Sequence, residues 1–370
     1  MRFIFTFFLC IFTISSIYSL NYDSCQSIPS GLHTINDTIS GVTNCFELSS
    51  NSYIDCNYNQ ISGTGGYGFL LDSLTNVTLA NCNLSSFGNG VHINFSTNVS
   101  LFNISVNLSS NGIFTSNVND SFFYNLSLSK NGGGVLRGGL RLAGYRNVVD
   151  RVYLFDNDGF DRHGLYVAGH DNNISNIEGT LNYHGIRIWG SSSNNFFEHI
   201  LFDGNDDSGI YLYSPATLEI PSNNYFDNLT LINNLRGIRF YSRTFNNTIV
   251  NSQIYNNSQD NILFSLSNNR ENLFYNNYLG NISKINSDDW SGSSPNYFNY
   301  STQGNIYLQG SESQICFDFG INSPEENCDY FPSYTTFILS TDNGEQKVKF
   351  PVNSFVSLSF MLSLLLLFFL

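Results

Sequence analysis

The stretch that decides the fold is His184-Gly185-Ile186-Arg187-Ile188-Trp189, a glycine followed by apolar residues at alternate positions. The phrase recurs as Gly112-Ile113-Phe114, Gly139-Leu140-Arg141-Leu142, Gly164-Leu165-Tyr166-Val167, Gly209-Ile210-Tyr211-Leu212 and Gly237-Ile238-Arg239-Phe240. From glycine to glycine the steps are 27, 25, 21, 24 and 28 residues. Repeats of this size mark a solenoid or an array. Alternation at period 2 makes each phrase a short strand. Ile186, Ile188, Ile210, Leu212, Ile238 and Phe240 then point one way and the residues between them the other. Asparagine pairs follow in phase: Asn172-Asn173, Asn194-Asn195, Asn223-Asn224, Asn246-Asn247 and Asn268-Asn269. They suit turns, and amides stacked from coil to coil form ladders. The Leu-rich consensus and helical segments of a leucine-rich repeat are missing. The pattern predicts an all-β protein, a right-handed parallel β-helix over residues 20–330, with Ile186, Ile210 and Ile238 stacked inside.

Both ends of the chain read as targeting segments. Arg2, the apolar run from Phe3 to Ile14 and Ile17-Tyr18-Ser19 form a signal peptide over residues 1–19. Residues 331–352 read as a C-terminal strand and polar spacer, and 353–370 as a hydrophobic tail ending Leu-Leu-Leu-Leu-Phe-Phe-Leu. The tail suits a plain membrane anchor or a GPI-type signal. The expectation is an exported, membrane-tethered monomer.

The net charge of −14 argues against a nucleic-acid partner, because phosphates call for a basic face. Basic residues are also unevenly placed. None lies between residues 3 and 129, and ten of the fifteen fall between Lys130 and Arg243. Setting Cys10 aside with the signal leaves Cys25, Cys45, Cys56, Cys82, Cys316 and Cys328. An even number in an exported chain points to disulfides, and the sequence leaves their pairing open. Cys56 and Cys82 fall at nearly equivalent places in successive coils. Cys25 with Cys45 and Cys316 with Cys328 would then close the two ends.

The opening Cys45-Phe46-Glu47-Leu48, Tyr53-Ile54-Asp55-Cys56-Asn57 and Ile61-Ser62-Gly63 resembles the first coil of NosD-like and pectate-lyase-like β-helix proteins. Asn76-Val77-Thr78-Leu79 with Asn81-Cys82-Asn83 is similar to their second coil. The resemblance covers about residues 25–330. It implies the architecture, while one fold hosts many activities.

Laid in register, the coils give an outward ladder. Arg141, Tyr166, Arg187, Tyr211 and Arg239 lie two residues after the glycines, and Trp189, Tyr213 and Tyr241 two further on. His163 and His184 immediately precede theirs. The N-terminal coils show Phe114, Ile93 and Leu71 in the ladder place. Aromatic side chains suit sugar rings and arginine forks suit carboxylates, so this ladder is the expected carbohydrate-binding face. An alternative reading is a polysaccharide lyase or uronate epimerase, with His163 or His184 as base, Tyr211 as donor and Arg187 or Arg239 as clamp. A third is a structural, glycosylated surface rod.

No cofactor is required by either binding or rod. Calcium could be held by Asp156, Asp158 and Asp161, a fragment of a ligand loop. Copper, associated with NosD proteins, lacks grouped soft ligands here, since His163, His170, His184 and His199 share no turn. Two longer connections, 130–138 and 214–222, would wall a shallow groove beside the ladder. Glycosylation sequons crowd the N-terminal half, among them Asn94, Asn98, Asn103 and Asn107.

Overall fold

The computed structural model describes residues 20–133, 138–157, 162–215, 219–266 and 269–287, with short segments between Asn296 and Val348. The chain winds as a right-handed parallel β-helix built on two long sheets. The front sheet has 12 strands, including Gly138–Leu142, His163–Val167, His184–Trp189, Ser208–Tyr213, Arg236–Tyr241 and Asp260–Ser265. The back sheet has 15, including Thr97–Asn107, Phe122–Ser129, Val148–Phe155 and Asn173–Thr180. Each coil contributes a strand to both sheets and pairs in parallel with the coils before and after it.

Alternation fills the interior. Ile186 pairs with Leu165 and Ile210, and Ile210 with Ile238, all of them buried. The predicted register therefore holds. The recurring glycine has a packing cause. A Cβ at Gly185 would lie 2.4 Å from the Phe202 ring and 2.6 Å from the Gly209 carbonyl oxygen, so only glycine fits.

The asparagines form ladders through the turns. Asn172, Asn195, Asn224, Asn247 and Asn272 are buried, each amide donating to the Oδ1 of the next from 2.9 Å. In the pairs beginning at Asn194, Asn223 and Asn246 the first member takes positive φ and the second enters the ladder. The pair Asn172-Asn173 differs: Asn172 is the rung, and Asn173 opens a strand. At the next coil the rung is Asn272 rather than a member of Asn268-Asn269. A second ladder, through Asn157, Asn182, Asn205, Asn234 and Asn257, lines the other turn. Every rung satisfies backbone groups that the turns would otherwise bury unpaired.

Two disulfides join Cys25 to Cys45 and Cys56 to Cys82 near the N-terminal end. Cys316 and Cys328 face each other as partners in a two-stranded antiparallel ladder, and their side chains lie outside the described residues. So do the predicted leader 1–19, the tail 353–370, and Asp158 and Asp161. Among the described residues, no helix is long and apolar enough to cross a membrane.

Candidate functional site

The ladder residues stand in register on the outer side of the front sheet. Arg141, Tyr166, Arg187, Tyr211 and Arg239 are successive ladder partners, followed by Leu263. Trp189, Tyr213 and Tyr241 form the neighbouring column. His163, His184, Ser208, Arg236 and Asp260 form a third. One assignment needs correcting. Before Phe114 the column runs through His92 and Leu70, not Ile93 and Leu71, which are buried inside the coil. His92 and Leu70 stand two residues after Gly90 and Gly68, as the other ladder residues stand after their glycines, while Ile93 and Leu71 stand three after, and a one-residue slip reverses every side chain.

The columns differ in how far they reach solvent. Trp189, Tyr213, Tyr241, Arg141 and Arg239 are half-buried. Tyr166, Arg187 and Tyr211 are buried, Arg187 to 4 % exposure. His163 and His184 are 1 % and 2 % exposed. The outer face of this sheet is thus largely covered rather than a flat solvent-facing wall.

Beneath the aromatic column lies an ionic cluster centred on Asp207. Asp207 precedes the Ser208-Gly209 phrase and is buried. Its Oδ1 accepts from Arg236, and its Oδ2 lies 3.6 Å from Arg239 Nη1 and 3.4 Å from His184 Nδ1. The histidine contact is not a well-made hydrogen bond, since His184 Nδ1 lacks a partner of good geometry. Asp260 lies 3.5 Å from Arg236 Nε and accepts from the Asn286 amide at 2.5 Å. The sequence places Asp207 and Arg236 just before their glycines but assigns no role to them or to Asp260. Only the register shows that Asp207 meets two arginines from the next coil.

The two histidines stack with centroids 5.5 Å apart, and His184 packs 4.5 Å from the Tyr211 ring. Arg187 Nη1 is 3.2 Å from His163 Nε2. Burial, then the neighbouring Arg187 charge, holds His163 well below the usual imidazole range. Burial does the same to His184, reinforced by His163, Arg187, Arg239 and Arg236. The Tyr211 phenol is pushed up, chiefly by burial, against the opposing pull of Arg239 and Arg187. The cluster therefore holds neutral imidazoles and a protonated phenol near neutrality.

The aromatic column is braced from within. Arg187 sits 4.5 Å from the Trp189 ring and 4.8 Å from Tyr213, and Arg239 lies 5.1 Å from Tyr241. Trp189 and Tyr213 are 4.7 Å apart and Tyr213 and Tyr241 5.2 Å, tilted by 33° and 20°. Rings that cover one another offer a ligand their edges and hydroxyls rather than their faces.

Metal chemistry finds little support in this donor set. Among the described residues, no group of three or more His, Cys, Asp or Glu gathers to hold an ion. Of the aspartates proposed for calcium, only Asp156 is described, half-buried in a turn at φ 53°. His170, bridged to Tyr145, and His199, within the back-sheet strand Phe196–Asp203, are exposed and lie off the front-sheet strands that carry the stacked pair. Arg187, Arg236 and Arg239 around His184 would repel a cation. The described residues do not fit a copper site.

The stacked coils define a parallel β-helix repeat protein. Residues 137–312 match the family described as "Periplasmic copper-binding protein (NosD)", and those coils are similar to that family. No curated protein matches the sequence. Among solved structures it is similar to the A-module of the mannuronan C-5 epimerase AlgE6 of Azotobacter vinelandii. That likeness has 13% identity and a TM-score of 0.45 over 76% of this chain and 77% of that one. A GH87 α-1,3-glucanase catalytic domain in complex with nigerose gives 17% identity and a TM-score of 0.39, over 76% and 64%. The surface adhesin PfbA of Streptococcus pneumoniae gives 14% identity and a TM-score of 0.32, over 88% and 91%.

Proposed function

We propose that the front face of the middle coils binds an acidic polysaccharide, on a protein exported from the cell and tethered through its C-terminal tail. One observation carries the reading. Five successive coils align Arg141, Tyr166, Arg187, Tyr211 and Arg239 beside Trp189, Tyr213 and Tyr241. Guanidinium groups and ring hydroxyls repeat there at the coil spacing, in a chain whose net charge is −14. Tyr166, Arg187 and Tyr211 are buried within this array, so the donors it offers carboxylates and hydroxyls are the half-buried Arg141, Arg239, Tyr213 and Tyr241, with Trp189 beside them. Because the ring faces are occupied by neighbouring rings, the reading relies on edge hydrogen bonding and charge. Affinity electrophoresis of the purified protein against polyuronates and neutral glucans tests it. Retardation by the polyuronates supports it, and equal mobility in every gel refutes it.

The juxtaposition of His184, Tyr211 and Asp207 favours a second reading, a lyase or epimerase acting on a uronate. A neutral imidazole beside a protonated phenol is a base–donor pair, and Arg239 is placed to stabilise developing negative charge. The burial of His184 weighs against it, because a base must reach the proton it takes. Unsaturated or epimerised products lost on His184→Asn would establish this reading over simple binding.

A further inference from the structure

On the back sheet, away from the ladder, two rings stand apart from the stacked columns. Tyr153 and Phe155 are parallel within 5°, with centroids 6.2 Å apart, and Tyr153 is 42% exposed. Their partners in the adjacent coils are Ser127 and Ser129 on one side and Glu178 and Thr180 on the other. Among the described residues no other ring packs on them. The same columns continue as a strip of small polar residues toward the N-terminus. Ser127 pairs with Ser105, and Ser129 with Asn107.

Asn107 begins the sequon Asn107-Leu108-Ser109 and points outward in the column of Phe155, two rungs away. At the usual strand spacing that is about 10 Å. Its amide is also uncommitted. Asn76, Asn98, Asn103 and Asn125, also in sequons, donate their Nδ2 to the asparagine of the preceding coil. Asn83 donates to the Tyr58 carbonyl at 2.6 Å. Asn107 makes no such bond among the described residues.

We infer that Asn107 carries an N-linked glycan whose sugars lie over Ser129 and pack against Phe155 and Tyr153. The inference requires export of the chain. In the transfer, Asn107 Nδ2 forms a bond to the anomeric carbon of a lipid-linked oligosaccharide. The bond from that carbon to the lipid phosphate oxygen breaks, the phosphate leaves with the electron pair, and one Nδ2 proton is lost. The remaining Nδ2–H stays free to donate. Sugar C–H faces pack well on aromatic carbon, and small serines leave room for them.

The test uses the full chain, secreted through its own leader by a host that glycosylates exported proteins. Peptide mass spectrometry reads occupancy, and melting midpoints are compared for wild type, Asn107→Gln, Phe155→Ala and the double variant. The expected result is an occupied Asn107, with Asn107→Gln lowering the midpoint in wild type and leaving it unmoved in the Phe155→Ala background. Where Phe155→Ala does not fold, Phe155→Leu removes the ring while keeping apolar bulk. An unmodified Asn107, whether or not other sequons are occupied, overturns the inference. So does an Asn107→Gln effect of equal size in both backgrounds.

Discussion

Replacing Asp207 with Asn keeps the shape of the side chain and removes the charge that organises the ionic cluster. Asp207 has about 5% of its side chain exposed and contacts Arg236, Arg239 and His184. Removing one partner of a buried ion pair costs about 3–5 kcal/mol, because the other charge stays buried and uncompensated. Here the arginines retain some solvent, with 15% and 22% of their side chains exposed. Arg236 also keeps Asp260 at 3.5 Å. The expected cost is therefore at the lower end, about 3 kcal/mol. Urea unfolding followed by far-ultraviolet circular dichroism measures it, as a lower midpoint at unchanged slope. A loss under about 1 kcal/mol, the level of a surface pair, would mean the charges are solvated and the cluster is not the organising element.

Three further outcomes follow from other parts of the coil. His163 and His184 are held neutral when folded and protonate near pH 6.5 when unfolded, so the unfolded chain binds more protons as pH falls below 6.5. Stability should fall there by about 1.4 kcal/mol per pH unit per histidine until the depressed folded values are reached; His184→Asn should flatten the slope, and an unchanged slope would contradict the burial. Asn195→Ala removes a rung that donates to Gly169 O and Asn224 Oδ1 and accepts from Asn172, and should cost more than about 3 kcal/mol through several unsatisfied groups. Replacing Cys56 and Cys82 with Ser opens a loop of sequence separation 26 and should cost about 3 kcal/mol, read by the same urea titration.

Much of the architecture was legible because it rests on strictly local rules. Gly-Ile-Arg-Ile shows its inward residues by alternation alone, and the columns of Ile186, Ile210 and Ile238 follow from the glycine markers. Legibility fails where the count from the glycine slips by one. In the coils before Phe114 the outward residues are His92 and Leu70, two after Gly90 and Gly68, and the neighbouring Ile93 and Leu71, three after, fill the core. The second asparagine ladder is harder to read because its rungs share no one marker: Asn234 and Asn257 end the doublets Asn233-Asn234 and Asn256-Asn257, while Asn157, Asn182 and Asn205 follow Asp156, Leu181 and Gly204. The ladder's composition was likewise plain, while its burial was not. Nothing in Ser208-Gly209-Ile210-Tyr211 says that Asp207 reaches Arg236 and Arg239 from the next coil. That contact depends on register between strands 29 residues apart, and sequence spacing alone does not rank it above the other aspartates in turns.

The claim that most needs measurement is binding on the ladder. Arg187 and Tyr211 are poor probes, because truncating buried side chains confounds binding with stability. Arg239 and Tyr241 are half-buried at the outer edge and are the better pair. Calorimetric titration of a polyuronate into the wild-type protein and into Arg239→Gln with Tyr241→Ala tests it directly. At about 1 kcal/mol for each edge or guanidinium contact, the account predicts saturable binding that the double variant weakens about 10-fold or more, and that added salt also weakens. A wild-type protein that takes up no polyuronate, or a folded double variant that binds as tightly, would contradict it.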